Sequence, residues 1–220
     1  MSSPRERILG KIRTALARQT VPTAAEASSS RLATLGDGTP QRPVWTESNL
    51  ERFTRCLEAA SGTLVRVRTV GEIGQAVAEY LADKPAGQRV HVAPNPALEA
   101  VDWPETLTVE QATHGRDALV GVSFAEAGVA ETGSLAVLSG PDNPTTLSFL
   151  PDYHIVVLRT ADVVPYFEDI WVRMRERHDF PPRSFNFITG PSRTADVEQT
   201  LQLGAHGPRS LHVVLLEEAP

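Results

Sequence analysis

A chain of 220 residues with 21 basic and 27 acidic side chains carries a formal charge of −6, which excludes the basic excess of a broad nucleic-acid footprint. Lys11 and Lys84 are its only lysines, too few for a lysine-based phosphate clamp. Cys56 is the only cysteine, so neither an intrachain disulfide nor an iron–sulfur cluster held by several cysteines of this chain can form.

The first element in chain order is an amphipathic helix from Pro4 to Arg18, with Ile8, Ile12 and Leu16 every four residues and Leu9 widening the stripe. Ser3 as N-cap, Pro4 at the first helical position and Glu6 three residues after Ser3 define its start. Its apolar stripe needs a surface, either the chain's own body or a second subunit. The N-terminus lacks the continuous apolar core of a signal peptide, and no stretch approaches the roughly 18 apolar residues of a membrane span. The cytoplasm is the expected location, and the cysteine usage fits it. From Thr20 to Pro43 the chain is rich in Ala, Ser, Thr, Gly and Pro and reads as a linker. Residues 1–19, 20–44 and 45–220 are therefore expected to be helix, linker and folded body. A body of about 175 residues would bury roughly 70% of its unfolded surface.

Within that body, Ser48 to Glu51 has capping-box spacing and opens a helix carrying Leu50, Phe53 and Leu57 on one face. Thr63–Val67 (TLVRV) reads as a strand. Thr69 and Glu72 set a second capping box for a helix marked by Ile73, Val77 and Leu81, and Arg89–Ala93 is the next strand. The prolines between Pro94 and Pro104 predict a long loop. Strand-like runs follow at Leu119–Phe124, Ser134–Leu138 and His154–Leu158, with an antiparallel excursion expected between Ser123 and Ser134. Asp162 starts a helix carrying Val163, Phe167, Ile170, Trp171 and Met174, ending at Arg177. Phe185–Thr189 is a strand, Arg193 to Leu201 a short helix, and Leu211–Leu216 the closing strand. This alternation predicts an α/β protein with a largely parallel sheet flanked by helices.

Three loops concentrate polar and glycine residues against strand ends, and in parallel sheets ligands bind beyond the carboxyl ends of the strands. In Ala130–Ser134 (AETGS), Glu131 is a candidate general base or nucleophile. Thr132 and Gly133 would contact a ligand there; the alternative is an ordinary turn with Glu131 in solvent. In Thr189–Glu198 (TGPSRTADVE), Gly190 allows a tight turn, and Pro191 and Ser192 suit a helix start whose N–H groups would face an anion. Arg193 would clamp a carboxylate or phosphate, with Thr194 and Asp196 beside it. The alternative is a capped helix with Arg193 and Asp196 paired on its surface. In Gly204–Pro208 (GAHGP), His206 is a candidate proton carrier. Ser148 and Asp152 are weaker candidates. The other histidines lack metal-ligand spacing, so no metal site is expected, and no GxGxxG or P-loop pattern occurs.

Taken together, AEAGVAETGSLAVL, LSFLPDYHIVVL and FITGPSRTADVEQTLQLGAHGPRSLHVVLLEE resemble the LUD-domain family. The resemblance is strong from Leu119 to Glu218 and extends in general layout back to Trp45. It implies a fold similar to the ribose-phosphate isomerase and CoA-transferase-like α/β fold. The implied role is lactate utilization: L-lactate oxidised to pyruvate in a complex with partner proteins that carry the iron–sulfur clusters, this chain binding no cofactor itself. Glu131 or His206 would handle a proton, and Thr132, Ser192, Arg193 and Asp196 would line a pocket for a small carboxylate or other anion. Two alternatives stay open: a stand-alone enzyme acting on a sugar phosphate or acyl-CoA, and a non-catalytic assembly or regulatory protein docking through its N-terminal helix. Whether this chain is itself an enzyme is left undecided.

Overall fold

A computed structural model describes residues 4–15, 42–112, 118–177, 182–194, 202–203 and 206–217. The chain divides into two units, 1–43 and 44–220. In the first, α1 spans Pro4–Ala15; Ser3 and residues 16–18 of the expected helix lie outside the described residues, as does nearly all of the expected linker.

The second unit opens with α2, Asn49–Ala59, whose capping box forms as the spacing predicts. The Ser48 N–H donates to a Glu51 carboxylate oxygen at 2.9 Å, and the Glu51 N–H donates to Ser48 Oγ at 3.2 Å. The helix ends in a Schellman turn: Gly62 N–H reaches Leu57 C=O at 2.9 Å and Ser61 N–H reaches Glu58 C=O at 2.8 Å. Ser61 takes the left-handed position, with φ +66°. Phe53 and Leu57 are fully buried.

Six strands build a parallel sheet in the order β1-β12-β7-β4-β2-β3. They are β1 (Thr63–Val67), β2 (Arg89–Val92), β3 (Thr108–Gln111), β4 (Val120–Phe124), β7 (Tyr153–Arg159) and β12 (Ser210–Leu216). The register Val120↔Tyr153↔Ser210 aligns the amino ends of the central three. Alternation divides their side chains between two faces. Val122, Ile155, Val157 and Val214 pack with Ile73, Val77 and Leu81 of α3 (Ile73–Leu81). On the other face, Val156, Leu158, Leu211 and Val213 meet Phe53 and Leu57 of α2, and Leu135 and Val137 of a second sheet.

That second sheet is mixed, in the order β8-β5-β6-β9, from β5 (Ala127–Val129), β6 (Ser134–Leu138), β8 (Val163–Val164) and β9 (Phe185–Ile188). The expected antiparallel excursion is its β5–β6 hairpin. Val129 and Ala136 pack with Ile170 and Met174 of α5 (Phe167–Arg175).

Four local expectations are corrected. Between Pro94 and Pro104 the chain forms a short helix, α4 (Pro96–Glu99), because Pro96 fits the first helical turn and Asn95 Oδ1 accepts the Ala97 N–H at 2.9 Å. Thr69 caps nothing with its side chain. A 3-10 turn at Val70–Glu72 precedes α3, and Glu72 instead accepts the Arg68 N–H at 2.7 Å. The helix expected from Asp162 begins only at Phe167, since Val163 and Val164 are drawn into the sheet beside β5 and Pro165 intervenes. No helix starts at Arg193: Arg193–Thr194 is a strand, β10, paired antiparallel with β11 (Gln202–Leu203). Residues 195–201 lie outside the described residues. The edge strand β3 was not foreseen, because only one of its four residues is even partly buried and so it shows no apolar alternation.

No helix among the described residues is long and apolar enough to cross a membrane.

Candidate functional site

The three polar loops meet at one end of the parallel sheet, and it is the amino end, not the expected carboxyl end. The reason is topological. After β4 the chain reverses within Ala125–Glu126, so β5 runs back along the sheet and its turn Ala130–Gly133 returns to the C-terminal end of α2, just before β1 begins. Gly133 has φ +69°, and a Cβ there would lie 2.3 Å from the Leu57 nitrogen. Its close approach is therefore to the helix backbone, not to a ligand. Gly190, with φ +76°, sits as tightly on the last residue of the same helix turn, 2.2 Å from the Ala60 oxygen for an added Cβ.

Arg193 completes the seat. Its guanidinium donates to the Ala60 carbonyl and to Ser61 Oγ, the latter at 2.8 Å. A cation on the final carbonyls of a helix satisfies groups that lack intrahelical partners and complements the helix dipole. The described contacts of Arg193 are thus a helix C-cap, and Arg193–Thr194 is strand where a helix start was expected. The Ser192 N–H is likewise committed, donating to Pro208 C=O at 2.8 Å. Asp196 lies outside the described residues, as does the side chain of Thr194.

Between these loops the side-chain hydroxyls of Thr132, Ser134 and Thr189 form a chain, 2.7 Å from Thr132 to Ser134 and 2.5 Å from Ser134 to Thr189. Glu131 is half-buried, and its backbone N–H is held by Pro165 C=O at 3.0 Å. Its carboxylate has no partner among the described residues.

Beside this cluster lies a cavity of about 240 Å³ at the amino ends of β7 and β12. Thr189, Gly190, Ser192 and His206 line it, together with Ser148, Phe149, His154, Phe187, Ile188 and Leu211. The structure therefore brings His206, Ser192 and Thr189 together; Glu131, Thr132, Gly133 and Arg193 are not among the lining residues. His206 is exposed and precedes β12. Asp152 lies outside the cavity as well; its carbonyl accepts the Arg209 and Ser210 N–H groups at 2.8 and 3.1 Å.

Sequence reasoning missed His154. It is fully buried on the face of the sheet that meets α2 and the second sheet, with Nε2 2.8 Å from Ser123 Oγ. Burial pushes its pKa down to about 3, so the ring is neutral near pH 7. Its Nδ1 has no partner among the described residues, and the same is true of Ser148 Oγ. The only sequence signal was a histidine opening an otherwise apolar strand, which a satisfied core histidine would give equally well. His212 lies on the opposite face, stacked on Tyr80 with ring centroids 3.9 Å apart and bonded to Thr63 Oγ1 at 2.8 Å. Its pKa falls to about 4, first through burial and then through the Lys84 charge.

At the carboxyl ends of β2 and β4 the surface opens instead into a cleft of about 860 Å³. Its wall is braced by a two-pronged contact from Arg177 Nη1 to Glu126, at 3.0 and 3.1 Å. Asn143 Nδ2 also donates to Leu138 C=O at 3.0 Å. No described residue of the three loops lines it. No group of three or more histidine, cysteine or acidic side chains among the described residues is arranged to hold a metal ion.

The LUD domain family model matches residues 50–216. Among curated proteins, lactate utilization protein C of Anoxybacillus flavithermus is 34% identical over 121 residues, 51% of this chain and 54% of that one. Lactate utilization protein C of Bacillus licheniformis is 28% identical over 128 residues, 57% and 53% of the two chains. The chain thus spans about half the length of the curated relatives it matches. A crystal structure of a DUF162 family protein from Deinococcus radiodurans covers 79% of this chain and 99% of its own, with a TM-score of 0.56 and 20% identity. At that identity it bears on the fold alone.

Proposed function

This chain belongs to the LUD-domain family, and from that premise we propose that it is a subunit of a lactate utilization system. In this reading it holds a small organic acid while partner proteins carrying iron–sulfur clusters accept the two electrons released as L-lactate becomes pyruvate. The observation that carries the reading is the match to proteins named lactate utilization protein C. A single cysteine supports the division of labour, because a protein-bound cluster ordinarily needs four thiolates. The cavity at the amino end is the proposed seat of the acid, with Ser192 and His206 as its polar rim. A volume of about 240 Å³ is below the roughly 300–1,000 Å³ of drug-sized sites, which favours a ligand of a few carbon atoms.

A clean gene deletion should abolish growth on L-lactate while leaving growth on pyruvate intact. Affinity purification from lactate-grown cells should recover iron-containing partners with the chain. Normal growth of the deletion strain on lactate would sink the proposal.

A further inference from the structure

Ser148 and His154 are 2% and 0% exposed, both line the amino-end cavity, and each keeps one polar atom without a partner among the described residues. Buried polar atoms are nearly always satisfied, and exceptions call for an explanation. His154 is not free to turn away: Ser123, itself fully buried, holds its Nε2 from the neighbouring strand. One imidazole nitrogen is thereby committed, and the hydrogen bond helps select the tautomer presented at the other. We propose that Ser148 and His154 form an uncharged recognition pair for the 2-hydroxyl or 2-oxo oxygen of a short organic acid whose carboxylate faces the cavity mouth beside His206.

The polarity of the walls dictates that orientation. Neither Ser148 nor a neutral imidazole can neutralise a carboxylate, and burying one unpaired among Phe149, Phe187, Ile188 and Leu211 would be strongly unfavourable. An uncharged oxygen can be taken inside at no such cost, with the carbon chain against the apolar walls. A hydroxyl group carries both a donor and acceptors, and Ser148 Oγ can serve as either partner, so both a 2-hydroxy and a 2-oxo acid can be accommodated.

The inference rests on the small-acid role proposed above, and its test is separable from that role. The full chain is titrated calorimetrically with L-lactate, pyruvate and propionate, the last lacking an oxygen on carbon 2, while ¹⁵N spectra follow the His154 ring. Lactate or pyruvate should bind about tenfold tighter than propionate, the scale of one well-made buried hydrogen bond. The His154 ring signals should move with saturation. Ser148→Ala, a small change checked for an unaltered melting temperature, should reduce that advantage severalfold. Equal binding of propionate, or His154 signals that stay fixed at saturating acid, overturns the inference, and a bridging water then explains the pair. If Ser148→Ala keeps the full preference for lactate over propionate and restores lactate growth to a deletion strain, the cavity inference fails and the pathway reading stands. If the chain binds lactate but the deletion strain grows normally, the pathway reading fails and the cavity inference survives.

Discussion

The two ends of the parallel sheet are built on opposite plans. At the amino end, backbone sits on backbone: Gly133 and Gly190 leave no room for even a methyl group against α2, and Arg193 clasps the helix terminus. At the carboxyl end, side chains brace an open cleft of about 860 Å³, and an added methyl at Gly140 would meet nothing within 4 Å. Loops that look like ligand contacts in one dimension are, at the amino end, largely the means of fixing a helix against two sheets. Beside that seat a cavity opens, with Ser148, His154, Ser192 and His206 among its lining residues.

The sharpest test of this contrast is a matched pair of glycine substitutions. Gly133→Ala forces a left-handed residue into the α2 backbone and should cost about 4 kcal/mol of unfolding free energy. Gly140→Ala should change it by less than about 0.5 kcal/mol. Urea denaturation of both variants decides the point; equal effects would dissolve the distinction between the ends.

Acid should act next most strongly, and through the amino end. His154 and His212 have folded pKa values of about 3 and about 4, below the ordinary 6.5. Their neutral forms contribute full stability above pH 6.5. That contribution is lost as pH falls from 6.5 toward the folded values, because the unfolded chain binds protons the folded chain refuses. By pH 5 the loss should reach about 2 kcal/mol per histidine. Comparing unfolding at pH 7.5 and pH 5.0 in the parent and in His154→Gln should show a shallower acid dependence in the variant. An unchanged dependence would mean His154 is not the protected group.

Arg193→Ala should cost about 1 kcal/mol through the lost cap on α2 while leaving small-acid affinity within twofold. A large loss of affinity at unchanged melting temperature would restore Arg193 as an anion clamp. Of similar or smaller size, Glu126→Gln at the carboxyl cleft should cost at most about 1 kcal/mol, since the pair with Arg177 is partly exposed.

Much of this molecule is legible without coordinates. Capping chemistry and 3.6-residue periodicity locate α2, and uninterrupted apolar runs locate the central strands, because those signals arise from local backbone needs and burial on both faces. Two of the failures share a cause, pairing with another strand. Val163 and Val164 take strand conformation because β5, 35 residues earlier, offers hydrogen bonds, and Arg193 and Thr194 because β11, eight to ten residues later, pairs with them. For the candidate site, His206 and Ser192 could be chosen as polar residues in glycine-rich turns. His154 could not, since what marks it is a buried ring whose Nδ1 has no partner among the described residues.

The order of residues by itself determined the α/β class, the helix starts that carry their own caps, the absence of a cysteine framework and the family. The tertiary structure decided which end of the sheet the loops occupy, that Gly133 and Gly190 serve helix packing, and that His154 and Ser148 line one cavity. The physical reason is range. Propensity, capping and amphipathicity act over a few bonds and are written in the chain. Chain reversal after β4 and burial of a polar ring depend on surfaces that exist only once distant segments have closed on one another.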